Sequence, residues 1–154
     1  SDITAIPEPD GSFDAILCSE VFEHIPDPNA AVREFARLLR KNGTLILTAP
    51  FTSLTHFAPY HFSTGFNRYY YEYHLPKNGF KIEELVFNGN FFDVLQQETI
   101  RVHQIASKYS NDKSSWIENQ ALKIVQKMYQ RFSAKDKNSS ELFAFGIHVV
   151  AVKS

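Results

Sequence analysis

The chain has 154 residues, 44% of them hydrophobic, enough for one domain with a core of its own, and no apolar run approaches the ~18 residues that a membrane-crossing helix takes. Lysine and arginine total 16 against 17 aspartates and glutamates, a net charge of −1, so bulk charge offers nothing to a nucleic acid or an anionic membrane surface. One cysteine, Cys18, excludes an internal disulfide; with no charged-then-apolar leader at the start, a reducing, cytoplasmic setting is expected.

In chain order, Phe13–Cys18 (FDAILC) follows the turn signal Asp10-Gly11-Ser12 and predicts a strand buried on both faces. Asp27 is placed to cap a helix with Pro28 at its first position, where the missing N–H costs nothing. Val32, Phe35, Ala36 and Leu39 recur at i, i+3, i+4 and i+7 as one apolar stripe, leaving Arg33, Glu34, Arg37 and Arg40 in water. Arg40 and Lys41 suit the negative end of the helix dipole, and Gly43 is expected to stop the helix. Thr44–Ala49 (TLILTA) predicts a second buried strand, ended by Pro50. Strand, helix and strand on short connections make a parallel crossover, so the fold class is α/β.

Past Pro50 a polar, aromatic loop (FTSLTHFAPYHFSTGF) leads into an aromatic helix over about 67–74. Pro76 would remove a bond to the Glu72 carbonyl, so the helix is expected to break there. Lys81–Phe87 predicts a strand introduced by Asn78-Gly79. Leu95, Thr99, Val102, Ala106 and Tyr109 trace one helix face; Ile117, Ala121, Ile124, Met128 and Phe132 trace another, with a polar stretch at 110–114 between them. A polar loop at 134–140 precedes the longest predicted strand, Leu142–Val152. With no repeat and no second domain in view, residues 1–154 are expected to form one domain.

Two segments, SDITAIPEPDGSFDAILCSEVFEHIPDP and EFARLLRKNGTLILTAPF, resemble the middle of a class I S-adenosylmethionine-dependent methyltransferase, in the small-molecule, type 11-like branch with an EH(I/V) loop after its fourth strand. The resemblance is dense over residues 2–51; beyond Phe51 only the order of helix, strand, helical insertion and terminal strand follows the family. It implies a Rossmann-like sheet, an antiparallel terminal strand supplied by Leu142–Val152, and S-adenosylmethionine as cofactor. By position it implies that Asp2 accepts from the adenine amino group while Ile3 offers its backbone N–H to the ring. Cys18, Ser19 and Glu20 would meet the methionine part through backbone groups, with the loop through Val21 and His24 closing beside it. Taken alone, Asp2 reads as well as a solvated or capping residue, and Cys18 as a small buried core residue.

His56, Tyr60 and His61, with Arg68 to Tyr71 beyond them, follow the carboxyl end of the next strand and so face the same crevice. An aromatic wall with a few hydrogen-bonding tips suits an acceptor pocket, although each aromatic alone reads equally as cover for the sheet. His24 and His61 are the candidates for a catalytic base or for orienting the acceptor; His56, Tyr60, His61 and Arg68 are the candidate substrate contacts. His56, His61 and His74 have no recognised ligand spacing and no cysteine partner, so no metal is expected.

The family's glycine-rich cofactor turn has no counterpart here, because no two of the six glycines lie close enough to build one. The resemblance therefore implies the carboxyl-terminal part of a longer methyltransferase, with the amino-terminal strands absent and no activity alone. Its Phe13–Cys18 edge would be open to homo-oligomeric pairing. The function expected is methyl transfer to a small-molecule acceptor, with neither nucleic acid nor membrane as partner. One rival is a degenerate methyltransferase fold used as a partner-binding module, with the helices from Phe92 to Phe132 as its interface. Another is a hydrolase with Cys18 as nucleophile, for which LCSEV lacks the flanking glycines that a nucleophile elbow needs.

Overall fold

The computed structural model describes residues 2–154. In chain order they form β1 (Phe13–Ser19), α1 (Pro28–Leu38), β2 (Leu39–Pro50), α2 (Arg68–Lys77), β3 (Phe80–Asn88), α3 (Phe91–Ile105), α4 (Trp116–Ser133) and β4 (Gly146–Lys153). The elements divide into two compact units: a sheet-bearing one that runs to Asn88 and resumes at Phe145–Ser154, and a helical one, Gly89–Ala144.

In the first unit the strands lie in the order β1-β2-β4-β3. β1 runs parallel to β2, with Ala15 opposite Thr44 and Ser19 opposite Thr48, as a β-α-β crossover requires. β4 is antiparallel to both of its neighbours, so the terminal strand has the expected direction. α1 starts where the sequence places it: the Asp27 side chain accepts from the Ala30 N–H, and Pro28 takes the first position. Val32, Phe35, Leu38 and Leu39 are buried with Leu45, Leu47, Ile147, Val149 and Ala151 in the core.

Several expectations need correction. β1 is not buried on both faces: Leu17 is 70% exposed, as is its partner Ile46 at 40%, while Cys18 on the other face is buried. Among the described residues β2 is the one strand that β1 pairs with, and the Leu17 face of that pair lies open. α1 stops at Leu38, and β2 begins at once with extended Leu39. Residues 40–43 then bulge out of the ladder, since Phe13 pairs with Leu39 but Ala15 with Thr44. Asn42 turns the chain with a φ of 63°, and Gly43 fits because a Cβ there would stand 2.9 Å from the Arg40 carbonyl. α2 continues through Pro76 to Lys77; the proline falls in the last turn, where only one bond is forgone. β4 starts at Gly146, four residues later than expected, after a short 3-10 turn at Ser139–Glu141.

Glu34 is the other correction: it is buried, because the chain before β1 lies over it. The Arg37 guanidinium forks onto the Glu34 carboxylate at 2.9 and 2.7 Å and also donates to the Ile6 and Glu8 carbonyls and to Asp10. Glu34 in turn accepts the Ile6 N–H at 2.8 Å. These hydrogen bonds, led by those from Arg37, hold its carboxyl below the ordinary 4.5. A carboxyl depressed in the folded state adds stability that is present above the unfolded-state value and lost as pH falls through the folded one. Glu34→Gln should therefore be less stable than the parent at neutral pH, and the gap between their urea midpoints should close in acid.

The helical unit is a two-helix hairpin. Capping boxes start both helices, Asn90 with Asp93 for α3 and Ser115 with Glu118 for α4. The start of α3 meets the end of α4 through Ser133, whose hydroxyl donates to Asp93 at 2.6 Å and accepts from Asn90 at 2.9 Å. Phe92 packs on Phe132 at the same end. α3 runs on into a wider π turn, Ala106–Ser110, closed by left-handed Asn111. No described helix is long and apolar enough to cross a membrane.

Candidate functional site

The chain leaves β1 through Glu20, which holds a left-handed φ of 52°. Non-glycine residues rarely adopt this conformation, and it is held here by neighbours. The Glu20 N–H extends the ladder to the Thr48 carbonyl at 2.9 Å. The Thr48 hydroxyl donates to the Glu20 carboxylate at 2.8 Å, so Ser19, also 2.8 Å away, donates to Thr48. A single 3-10 turn, Phe22–His24, follows. Phe22 anchors it: the ring is wholly buried, stacks on Phe35 and meets Phe66 and Tyr70 edge-on.

The loop after β2 is tied to this turn by its backbone. The Glu23 carbonyl accepts the N–H groups of Phe62 and Ser63 at 2.8 and 3.2 Å. Ser53 donates its N–H to Thr64, and Phe66 its N–H to Pro50, which closes the loop on itself. Phe57, at the loop's tip, also holds a left-handed φ of 52°.

This tethering brings three histidines together. Ring centroids lie 4.9 Å apart for His24 and His56, 4.9 Å for His56 and His61, and 6.1 Å for His24 and His61. His24 Nδ1 bonds the Tyr60 carbonyl, and His56 Nδ1 bonds the Leu54 carbonyl at 2.9 Å. A carbonyl can only accept, so both Nδ1 atoms carry hydrogens, and in the neutral form each ring presents a bare Nε2 lone pair. Those two Nε2 atoms lie 3.6 and 3.8 Å from Oε1 of Glu23. His61 bonds through Nε2 to the Ser53 hydroxyl at 3.2 Å, and that hydroxyl donates to Thr64.

Of the other candidates, Asp2 is exposed and accepts from the Thr4 side chain and backbone at 2.7 and 2.8 Å, which lowers its carboxyl pKa. Ile3 and Val21 pack against the core. Tyr60 contributes its carbonyl to His24 while its ring is 59% exposed. Arg68 forks onto Glu72 along α2. Cys18 is buried, and desolvation, with a smaller part from the Glu23 charge, pushes its thiol up to about 12. It should resist iodoacetamide in the native protein and react only once unfolded; rapid native labelling would bring the hydrolase reading back. The residue that sequence reasoning missed is Glu23, and its signal was its place beside His24 in the EH(I/V) loop, directly after apolar Val21 and Phe22.

A parallel β-α-β crossover and a carboxyl-terminal strand inserted antiparallel match the Rossmann-like fold of the class I methyltransferases. Residues 1–47 match the family described as "Methyltransferase domain". Over 41 residues the chain is 54% identical to the ubiquinone biosynthesis O-methyltransferase of Xanthomonas oryzae pv. oryzae, a stretch covering 27% of this chain and 17% of that protein. Among solved structures, a Galdieria sulphuraria protein assigned as a sarcosine dimethylglycine methyltransferase superposes with a TM-score of 0.57 at 19% identity, over 100% of this chain and 58% of that one. The phosphoethanolamine N-methyltransferase 2 of Haemonchus contortus, solved with S-adenosyl-L-methionine, gives 0.52 at 19% identity, over 99% and 36%. The structural likenesses establish the fold; the sequence match belongs to the first third of the chain.

Proposed function

We propose that the protein transfers a methyl group from S-adenosylmethionine to a small-molecule acceptor whose reacting group must first lose a proton, a hydroxyl being the first to test. One observation carries this reading: the EH turn and the loop after β2 converge three imidazoles and a buried carboxylate at the carboxyl ends of two parallel strands. The 41-residue sequence match to an O-methyltransferase supports it.

The cofactor would be held by Asp2 and Ile3 at its adenine and by Cys18, Ser19, Glu20, Val21 and His24 at its methionine part. Glu20 fits this assignment, since a carboxylate at a strand's end suits a ligand that carries an ammonium and a sulfonium. When bound, the cofactor supplies an electrophilic methyl group. The chain's own residues then have two tasks. His56, Tyr60, His61 and Arg68 align the acceptor, and alignment supplies most of the rate in such transfers. His24 or His61 accepts the acceptor's proton.

The 154 residues contain no glycine-rich cofactor turn, so this chain is expected to offer part of a cofactor site and to bind weakly by itself. Calorimetric titration with S-adenosylmethionine, on this chain and on the full-length gene product, tests the reading. Binding by the longer protein, followed by transfer of labelled methyl to hydroxylated small molecules, is the expected result. If the full-length product binds no cofactor, methyl transfer is wrong and the partner-module reading replaces it.

A further inference from the structure

We propose that Glu23, His24 and His56 form a binding site for one divalent transition-metal ion, with Zn2+ the ion that two imidazoles and a carboxylate suit. The argument begins with an imbalance. His24 Nε2, His56 Nε2 and Glu23 Oε1 all converge, and the remaining ligand-capable separations stay within 4.8 Å. All three atoms are acceptors when the rings are neutral, and no donor stands among them. Glu23 is 1% exposed, and its second oxygen, Oε2, is buried without any hydrogen-bond partner. An ionised carboxylate left this way is costly, and a charge in a protein interior is normally paired or bound to a metal.

A protonated histidine beside Glu23 is the simpler alternative, and the geometry speaks against it. The two nitrogen–oxygen separations, 3.6 and 3.8 Å, are both too long for a charge-assisted hydrogen bond. They are close to what a shared metal demands: ligands about 2.0–2.2 Å from a tetrahedral ion lie roughly 3.3–3.5 Å from one another. The two nitrogen–oxygen separations need contract by only a few tenths of an ångström, and the remaining one, held within 4.8 Å, by at most about 1.5 Å.

The surroundings are those of a ligand set already oriented. Metal-bound imidazoles typically give their other N–H to a carbonyl or carboxylate, which fixes tautomer and ring plane. Both rings do so here, His24 to the Tyr60 carbonyl and His56 to the Leu54 carbonyl. The backbone bonds from Phe62 and Ser63 to the Glu23 carbonyl hold the loop that carries His56 against the turn that carries the other two ligands. Three protein ligands leave a position open, and the 47% exposure of the His56 side chain places that side of the cluster toward solvent. A water or an oxygen of an incoming molecule could fill it. With His24 engaged as a ligand, His61 remains as the base.

The site does not depend on the methyl-transfer reading, because its test reads metal binding alone. The purified chain is stripped with a chelator and titrated with Zn2+ by calorimetry, and with Co2+ followed by visible absorption. One ion per chain is expected. His56→Ala, at an exposed position that should not disturb folding, should weaken binding by roughly 10–100-fold or more, as should His24→Ala and Glu23→Gln. His74→Ala on α2 should leave binding unchanged. Absence of saturable binding overturns the proposal, and so does Zn2+ affinity that survives His56→Ala or falls equally with His74→Ala.

Discussion

Phe22→Ala should destabilise the sheet-bearing unit by about 3–5 kcal/mol, the range for deleting a fully buried aromatic ring. The side chain is 0% exposed, and its ring touches Phe35 of α1, Phe66 at the end of the loop and Tyr70 of α2. These neighbours belong to three different segments and cannot all move into the vacated volume together, so a cavity should remain. Urea melts would read the loss as a lower midpoint with little change in slope. The same substitution should loosen the site, because Phe22 is the first residue of the turn that presents Glu23 and His24. A loss below about 1 kcal/mol would mean that the turn is held by its backbone bonds and not by this ring.

The chain's first half was legible because its signals are local. Asp27-Pro28 and the apolar stripe from Val32 define α1, and short apolar runs define β1 and β2. What the sequence concealed depends on who covers whom. Leu17 and Glu34 exchange the environments their chemistry suggests, because nothing described lies over the Leu17 face while residues 6–10 lie over Glu34. The site shows the same limit. His24, His56 and His61 are visible one at a time as polar residues at strand ends, yet their meeting is set by the path of the loop. Glu23 was passed over for a related reason: His24 adjoins it, but His56 and the Phe62 and Ser63 amides come from a segment distant in sequence, so no spacing rule links them.

Gly65→Ala tests that loop path directly. Gly65 has a φ of 152°, and a Cβ built there would stand 2.2 Å from the Phe51 carbonyl oxygen, 2.4 Å from its carbon and 2.8 Å from the Pro50 oxygen. All three are backbone atoms, so no side chain can rotate aside to relieve the clash. The loop must lift, and the bonds from Phe66 to Pro50 and from Ser53 to Thr64 lie nearest the displacement. Strain of this kind and two weakened backbone bonds together predict a loss of about 2–4 kcal/mol. The core residues under Phe22 are untouched, which separates this variant from Phe22→Ala: local opening should exceed global unfolding. Hydrogen exchange at the Phe62 and Ser63 amides should accelerate, and Zn2+ binding should fall even under conditions where the protein stays folded, because His56 rides on the displaced segment. Unchanged exchange at those amides together with full Zn2+ affinity would show that the loop accommodates a side chain at Gly65, and that the convergence of His56 on Glu23 has another origin.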